Sequence, residues 1–169
     1  SYTGGFSVYA ARGGAKKVVS VDLSKPALAA AQRNFSYNRS DPAIAPCQHE
    51  IHAGDAFELL RNFANDKMTF DMLILDPPSF AKRKSEIENA ISAYRRLTSL
   101  GLKVLSPGGI LVQASCSSRV SQTAFYETIH QAAQQNGRHL KEIERTAHTI
   151  DHPIKFSGGE YLKCLFAVA

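Results

Sequence analysis

The sequence predicts an α/β fold built on a mainly parallel sheet with helices on both faces. Three observations predict it. Apolar runs of strand length alternate with amphipathic stretches of helix length, turn residues fall between them, and the last two apolar runs follow one another with no helix between. Strand–helix–strand alternation requires parallel neighbours, whereas two strands in direct succession pair antiparallel.

Taken in order, "FSVYAARG" (6–13) has helical spacing and stops at Gly13-Gly14, as a helix C-terminus does. The Val-rich "KKVVSVDL" reads as a short strand buried on both faces. Ser24 is the expected N-cap, with Pro26 in the first turn, of a helix over about 25–37. "HEIHAGDAFELLRNF" gives a strand at about 49–53, a turn at Gly54-Asp55 and a helix. "FDMLILDPPSF" is the strongest strand, stopped at Pro77-Pro78 because proline cannot donate to a ladder. Residues 85–105 form a long amphipathic helix closed by "SPGG", "ILVQAS" is the next strand, and 121–136 is the last helix, ended by Gly137. "HLKEIERTAHTIDHP" and "EYLKCLFAVA" make an antiparallel pair around a Gly158-Gly159 turn.

At 169 residues and 44% hydrophobic, the chain has the material for one domain, residues 1–169. It has no apolar run of about 18 residues, the length needed to span a membrane. Three unevenly spaced cysteines (Cys47, Cys116, Cys164) give neither a disulfide framework nor a metal pattern, which favours a reducing, cytoplasmic setting. The net charge of +5 is compatible with an anionic partner such as RNA.

In a parallel α/β sheet, ligands gather at the carboxyl ends of the strands. Here those ends carry Asp22, Gly54-Asp55, Asp76-Pro77-Pro78-Ser79 and Ser115-Cys116-Ser117, all expected on one crevice. Gly4 and Gly5, ahead of the first helix, would let a ligand approach the backbone and the free amides of the helix N-terminus. The pattern is not GxGxxG, which counts against a nicotinamide or flavin cofactor. Asp22 suits ribose hydroxyls, or serves as a turn residue or cap. Asp55 suits an adenine amino group, and as a helix N-cap it would look the same. Asp76 is a carboxylate fixed by two prolines, with Phe80 close by to stack on a flat ring. Lys82, Arg83 and Lys84 are placed to meet phosphates, or form a solvated loop. His148 and His152 lack the partners a metal site needs and read as loop histidines. Cys116 is either a filler at a strand end or a nucleophile. As a nucleophile it needs a nearby cation, and Arg119 is the nearest in sequence.

The order "SYTGGFSVYAARGGA", "VVSVD", "GDAF", "LDPPSF", "SCSS", "DHP…GEYLK" resembles the catalytic domain of the ribosomal RNA large-subunit methyltransferase I family over nearly the whole chain. The resemblance implies a Rossmann-like class I methyltransferase sheet, S-adenosyl-L-methionine as cofactor and 5-methylcytosine in 23S rRNA as product. It implies that Tyr2, Thr3, Gly4 and Gly5 pass under the methionine part of the cofactor, with Asp22 at the ribose and Asp55 near the adenine. Asp76 borders the cofactor and, with Pro77, Pro78, Ser79 and Phe80, forms the target-base motif, beside Lys82 and Arg83; Cys116 is the nucleophile. Ser79 stands where many RNA cytosine methyltransferases carry a second cysteine, which leaves the base that removes the departing proton open. His152, in "DHP", gains a substrate-side role. No metal is implied. The family's RNA-binding and linking domains precede this one, and its first sheet strand runs into the glycine loop. The chain opens inside that loop, so a truncated first strand and a poorly formed loop are expected. Two alternatives remain: methylation of a base amino group or ring nitrogen, and a non-catalytic RNA-binding paralogue.

Overall fold

In the computed structural model, which describes residues 1–148, 154 and 161–169, the chain forms two compact units, Ser1–Asn62 and Phe63–Ala169. The first unit opens with helix α1 (Gly5–Arg12), strand β1 (Lys17–Asp22), helix α2 (Lys25–Tyr37) and strand β2 (Gln48–Ala53). β1 and β2 pair in parallel, Lys17 opposite Gln48 and Asp22 opposite Ala53. Both helices pack on this ribbon. Phe35, Ile44, Cys47 and Ala11 form its core, so Cys47 is a small apolar filler. Ser24 caps α2, its Oγ accepting from Ala27 N–H at 3.2 Å, with a proline in the first turn. Helix α3 (Ala56–Asn65) follows.

The second unit holds β3 (Phe70–Leu75), a 3-10 turn at Lys84–Glu86, α4 (Ile87–Val104), β4 (Leu105–Ser115), α5 (Gln122–Gln135), β5 (Lys141–Thr146) and β6 (Lys163–Val168). Its sheet runs β3-β4-β6-β5. β3 and β4 are parallel, and β6 is antiparallel to both β4 and β5. The closing antiparallel pair is therefore present, although the Gly158-Gly159 turn lies outside the described residues. α4 and α5 pack on each other, around the fully buried Tyr94, Phe125 and Ile129. Ser121 caps α5 by accepting from Ala124 N–H at 3.2 Å, and Gly137 adopts φ 67° just past its end.

Two expectations are corrected. "SPGG" does not close α4 as a loop but lies within β4, because the chain end supplies partners: Gly108 N–H donates to the Ala169 carbonyl at 2.7 Å and Ala169 N–H to the Gly109 carbonyl at 3.0 Å. "KKVVSVDL" is a strand, yet only Ser20 of β1 is fully buried. β3 is likewise open, with Met72 exposed, while β4 is the buried strand. Strand partners explain the difference, since β4 has one on each edge, whereas β1 and β3 have one each among the described residues.

Candidate active site at the strand ends

In the first unit, Asp22 and Asp55 follow adjacent parallel strands, and Gly54 N–H donates to the Asp22 carbonyl at 3.0 Å. Asp22 organises the loop ahead of α1. Its Oδ2 accepts from Tyr2 N–H at 2.8 Å and from the Ser1 nitrogen at 3.0 Å, and its Oδ1 accepts from Ser24 N–H at 2.9 Å. Desolvation pushes the Asp22 carboxyl up, and the hydrogen bonds from Ser24 and Tyr2 N–H oppose it. The loop is tied again where Asn34 donates to the Thr3 carbonyl at 2.9 Å. It is therefore well formed rather than poorly formed, because its anchors, Asp22 and Asn34, belong to β1 and α2.

Gly4 and Gly5 differ in kind. Gly4 has φ 80°, and a Cβ there would sit 2.8 Å from the Ala31 Cβ, so glycine serves the turn and the approach of α2. A Cβ on Gly5 would meet nothing within 4 Å. Asp55 takes the N-cap geometry of α3, with Oδ1 accepting from Phe57 N–H at 2.9 Å and Glu58 N–H at 3.1 Å. Its Oδ2 makes no hydrogen bond among the described residues. Sequence reasoning missed a buried chain here: Ser7 Oγ to Ser20 Oγ at 2.7 Å, then to His49 Nε2 at 2.9 Å, with His49 stacked on Phe35. Burial lowers the His49 pKa, which suits a neutral structural imidazole.

In the second unit, Asp76 follows β3 and Cys116 follows β4, its parallel neighbour, with Leu75 opposite Gln113. Asp76 keeps an exposed face, yet desolvation still raises its carboxyl pKa. Cys116 is a free, half-buried thiol. Ser117, fully buried, joins the two loops: its Oγ donates to the Ala81 carbonyl at 3.1 Å, and its N–H donates to Ser115 Oγ at 3.2 Å. Beneath them, Tyr94 of α4 shares a 2.7 Å hydrogen bond with Ser115 Oγ. Burial raises the Tyr94 pKa, the Ser115 bond opposes that, and the charges of Cys116 and Asp76 add to the rise. One buried hydroxyl thus lies within electrostatic reach of both candidate catalytic groups.

Other expectations resolve residue by residue. Phe80 packs against Tyr94, ring centroids 4.9 Å apart. Ser79 Oγ donates to the Ala81 carbonyl at 3.1 Å, while Pro78 is exposed and Pro77 half-buried. Lys82, Arg83 and Lys84 are exposed, and their side chains form no ion pair among the described residues. Glu86 accepts from the backbone N–H groups of Lys82 and Arg83 at 2.7 and 3.1 Å. Arg119 is exposed and makes no polar contact among the described residues. His148 Nε2 accepts from Tyr161 and Leu162 N–H, both at 3.1 Å, which is a loop-fastening role. His152 lies outside the described residues. Cys164 is half-buried, and burial followed by the Asp76 charge pushes its thiol up to about 11. Sequence reasoning also missed Tyr94 and Lys163; only tertiary contact reveals them. Among the described residues no group of His, Cys, Asp and Glu is placed to hold a metal, and no helix is long and apolar enough to cross a membrane.

A glycine loop before α1 and acidic residues at the carboxyl ends of parallel strands define a Rossmann-like enzyme that binds a nucleoside cofactor. The family model for S-adenosylmethionine-dependent methyltransferases matches residues 1–160, and the chain belongs to that family. It is 45% identical over 166 residues to the ribosomal RNA large subunit methyltransferase of Deinococcus radiodurans, covering 98% of this chain and 40% of the relative. To the ribosomal RNA large subunit methyltransferase I of Vibrio cholerae it is 39% identical over 165 residues, covering 96% and 41%. Its structure is similar to a candidate SAM-dependent methyltransferase from Streptococcus mutans (TM-score 0.81, 25% identity, 97% of this chain and 41% of that one). It also matches a candidate methyltransferase solved with SAH (TM-score 0.80, 26% identity, 97% and 42%). The chain spans about two fifths of the length of these curated relatives. The resemblance read from the motifs, the class I sheet and the S-adenosylmethionine cofactor are thereby shown. The residues fit that cofactor: Gly5 leaves open space, Asp22 Oδ1 accepts one hydrogen bond where it can accept two, and Asp55 Oδ2 is open.

Proposed function

We propose that this chain is the catalytic domain of an S-adenosylmethionine-dependent RNA methyltransferase that forms 5-methylcytosine in large-subunit rRNA through a covalent bond to Cys116. The observation that carries this reading is a free, half-buried thiol and a carboxyl group at the ends of neighbouring parallel strands. The relatives' names support the RNA substrate. Tyr2, Thr3, Gly4, Gly5, Asp22 and Asp55 hold the cofactor, which supplies an electrophilic sulfonium methyl group.

Carbon 5 of cytosine is too weak a nucleophile to take a methyl group unaided. Addition of the Cys116 thiolate forms a bond to carbon 6 and moves the ring's electron pair toward carbon 5 and the N3 edge. Asp76 hydrogen-bonds the N3 and amino edge of the ring and stabilises the charge that develops there. Carbon 5 then takes the methyl group. Loss of the carbon 5 proton restores the ring double bond and expels the Cys116 thiolate. Pro77, Pro78, Ser79 and Phe80 shape the base site, and Lys82 and Arg83 meet flanking phosphates.

Nucleoside mass spectrometry of large-subunit rRNA, from cells with and without the full-length protein, tests the product. A 5-methylcytosine that disappears with the protein is the expected result. A lost methyl on a base amino group or ring nitrogen, with a Cys116→Ala protein still active, would overturn the covalent reading in favour of amine methylation. Calorimetric titration with S-adenosylmethionine separates either enzyme from a non-catalytic RNA-binding paralogue.

A further inference from the structure

Lys163 is fully buried at the start of β6, opposite Ser115 of β4. Its Nζ donates to the Ser117 carbonyl at 2.7 Å and to the Tyr161 carbonyl at 3.0 Å. An ammonium has three N–H donors, so one remains. No carboxylate pairs with this ammonium among the described residues. A buried charge held only by carbonyl dipoles is costly unless an opposite charge compensates it. The Ser117 carbonyl it grips belongs to the residue that follows Cys116, which brings the ammonium within electrostatic reach of the thiol. Burial lowers the Lys163 pKa, and the charge of Cys116 opposes that lowering.

Among the described residues, the other titratable groups of this cluster are Asp76 after β3, Tyr94 on α4 and, beside Asp76, Cys164 on β6. All three are acids, which disfavour a thiolate when ionised. Among the described residues Lys163 is the cation of this cluster, whereas Arg119, the neighbour in sequence, is exposed.

We infer that Lys163 is a positioning residue whose buried ammonium, anchored on the Ser117 and Tyr161 carbonyls, stabilises the Cys116 thiolate before RNA binds. This rests on the reading of Cys116 as the nucleophile. It adds the source of the nucleophile's activation, and it assigns Lys163 no contact with substrate.

The test measures iodoacetamide alkylation of Cys116 at pH 7 in the full-length protein without RNA, read by peptide mass spectrometry alongside the melting temperature. Lys163→Gln keeps a donor for a carbonyl but removes the charge, and Lys163→Met removes both. Both are expected to slow alkylation of Cys116 several-fold, because the thiolate is the species that iodoacetamide alkylates. A folded Lys163→Gln protein that alkylates at the wild-type rate would overturn the inference, because a purely structural lysine alters melting and not thiol reactivity. Should neither variant fold, wild-type Cys116 decides: alkylation faster than that of free glutathione supports the inference, and an equal or slower rate overturns it. The readout needs no methyl transfer. Failure of the nucleophile reading therefore shows separately, as methylation by Cys116→Ala.

Discussion

At the residue scale, the strand-end motifs could be read from the sequence because chemistry and chain position coincide there. Asp22, Asp55, Asp76 and Cys116 each follow an apolar run directly, and each sits at the carboxyl end of its strand in the structure. Tyr94 and Lys163 were not legible. Their contacts with Ser115 and Ser117 span 21 and 46 residues of sequence, and a lone tyrosine or lysine in an apolar run carries no local signal. The structure also divides the roles of one residue. Asp22 anchors the glycine loop and retains acceptor capacity for a hydroxyl. Replacing Asp22 with Ala is expected to weaken S-adenosylmethionine by about 1–3 kcal/mol, the range for leaving hydrogen-bonding groups unpaired in a partly buried site. Calorimetric titration of the full-length protein checks it, and an unchanged dissociation constant would reduce Asp22 to a turn residue.

At the element scale, helix ends were legible where side chains cap them, as at Ser24 and Ser121, because a cap is a local interaction. "SPGG" was misread because its strand partner arrives from the far end of the chain. The burial of β1 was misjudged for a related reason: apolar composition reports strand propensity, not how many neighbours a strand has. The junction of α5 and β5 makes a pH-dependent prediction. Glu142 on β5 is bonded to Arg145 and also, at 2.5 Å, to His130 on α5. The Arg145 hydrogen bonds lead in holding its carboxyl down at about 2, against an ordinary value of 4.5. A depressed carboxylate contributes stability that is present above the unfolded value and lost as pH falls through the folded one. Chemical denaturation of wild type and Glu142→Gln should therefore differ most above pH 4.5 and converge toward pH 2. A difference independent of pH over that window would show that the cluster holds by packing alone. Solvent screening at this partly exposed site keeps the effect small.

At the scale of the whole molecule, the α/β class and the parallel pairing followed from the alternation of element lengths. The order β3-β4-β6-β5, with β6 inserted between β4 and β5, is a long-range pairing that periodicity does not encode. A net charge of +5 is modest, so RNA affinity depends on where the cations lie. The exposed run Lys82, Arg83 and Lys84 is the site to test. Replacing all three with Ala should weaken RNA binding and flatten the dependence of log affinity on log salt by about 2, as expected for three lost phosphate contacts. An unchanged slope in a fluorescence titration would identify the run as a solvated loop. The central claim, a covalent bond between Cys116 and a cytosine, is tested most directly with RNA carrying 5-fluorocytosine at the target. Fluorine at carbon 5 cannot leave as a proton, so the intermediate should stall after methyl transfer with its carbon–sulfur bond intact. The account predicts that the full-length protein, with S-adenosylmethionine, yields an RNA adduct that mass spectrometry maps to Cys116. Methylation of unsubstituted RNA without any such adduct, or an adduct mapped to another residue, would contradict it.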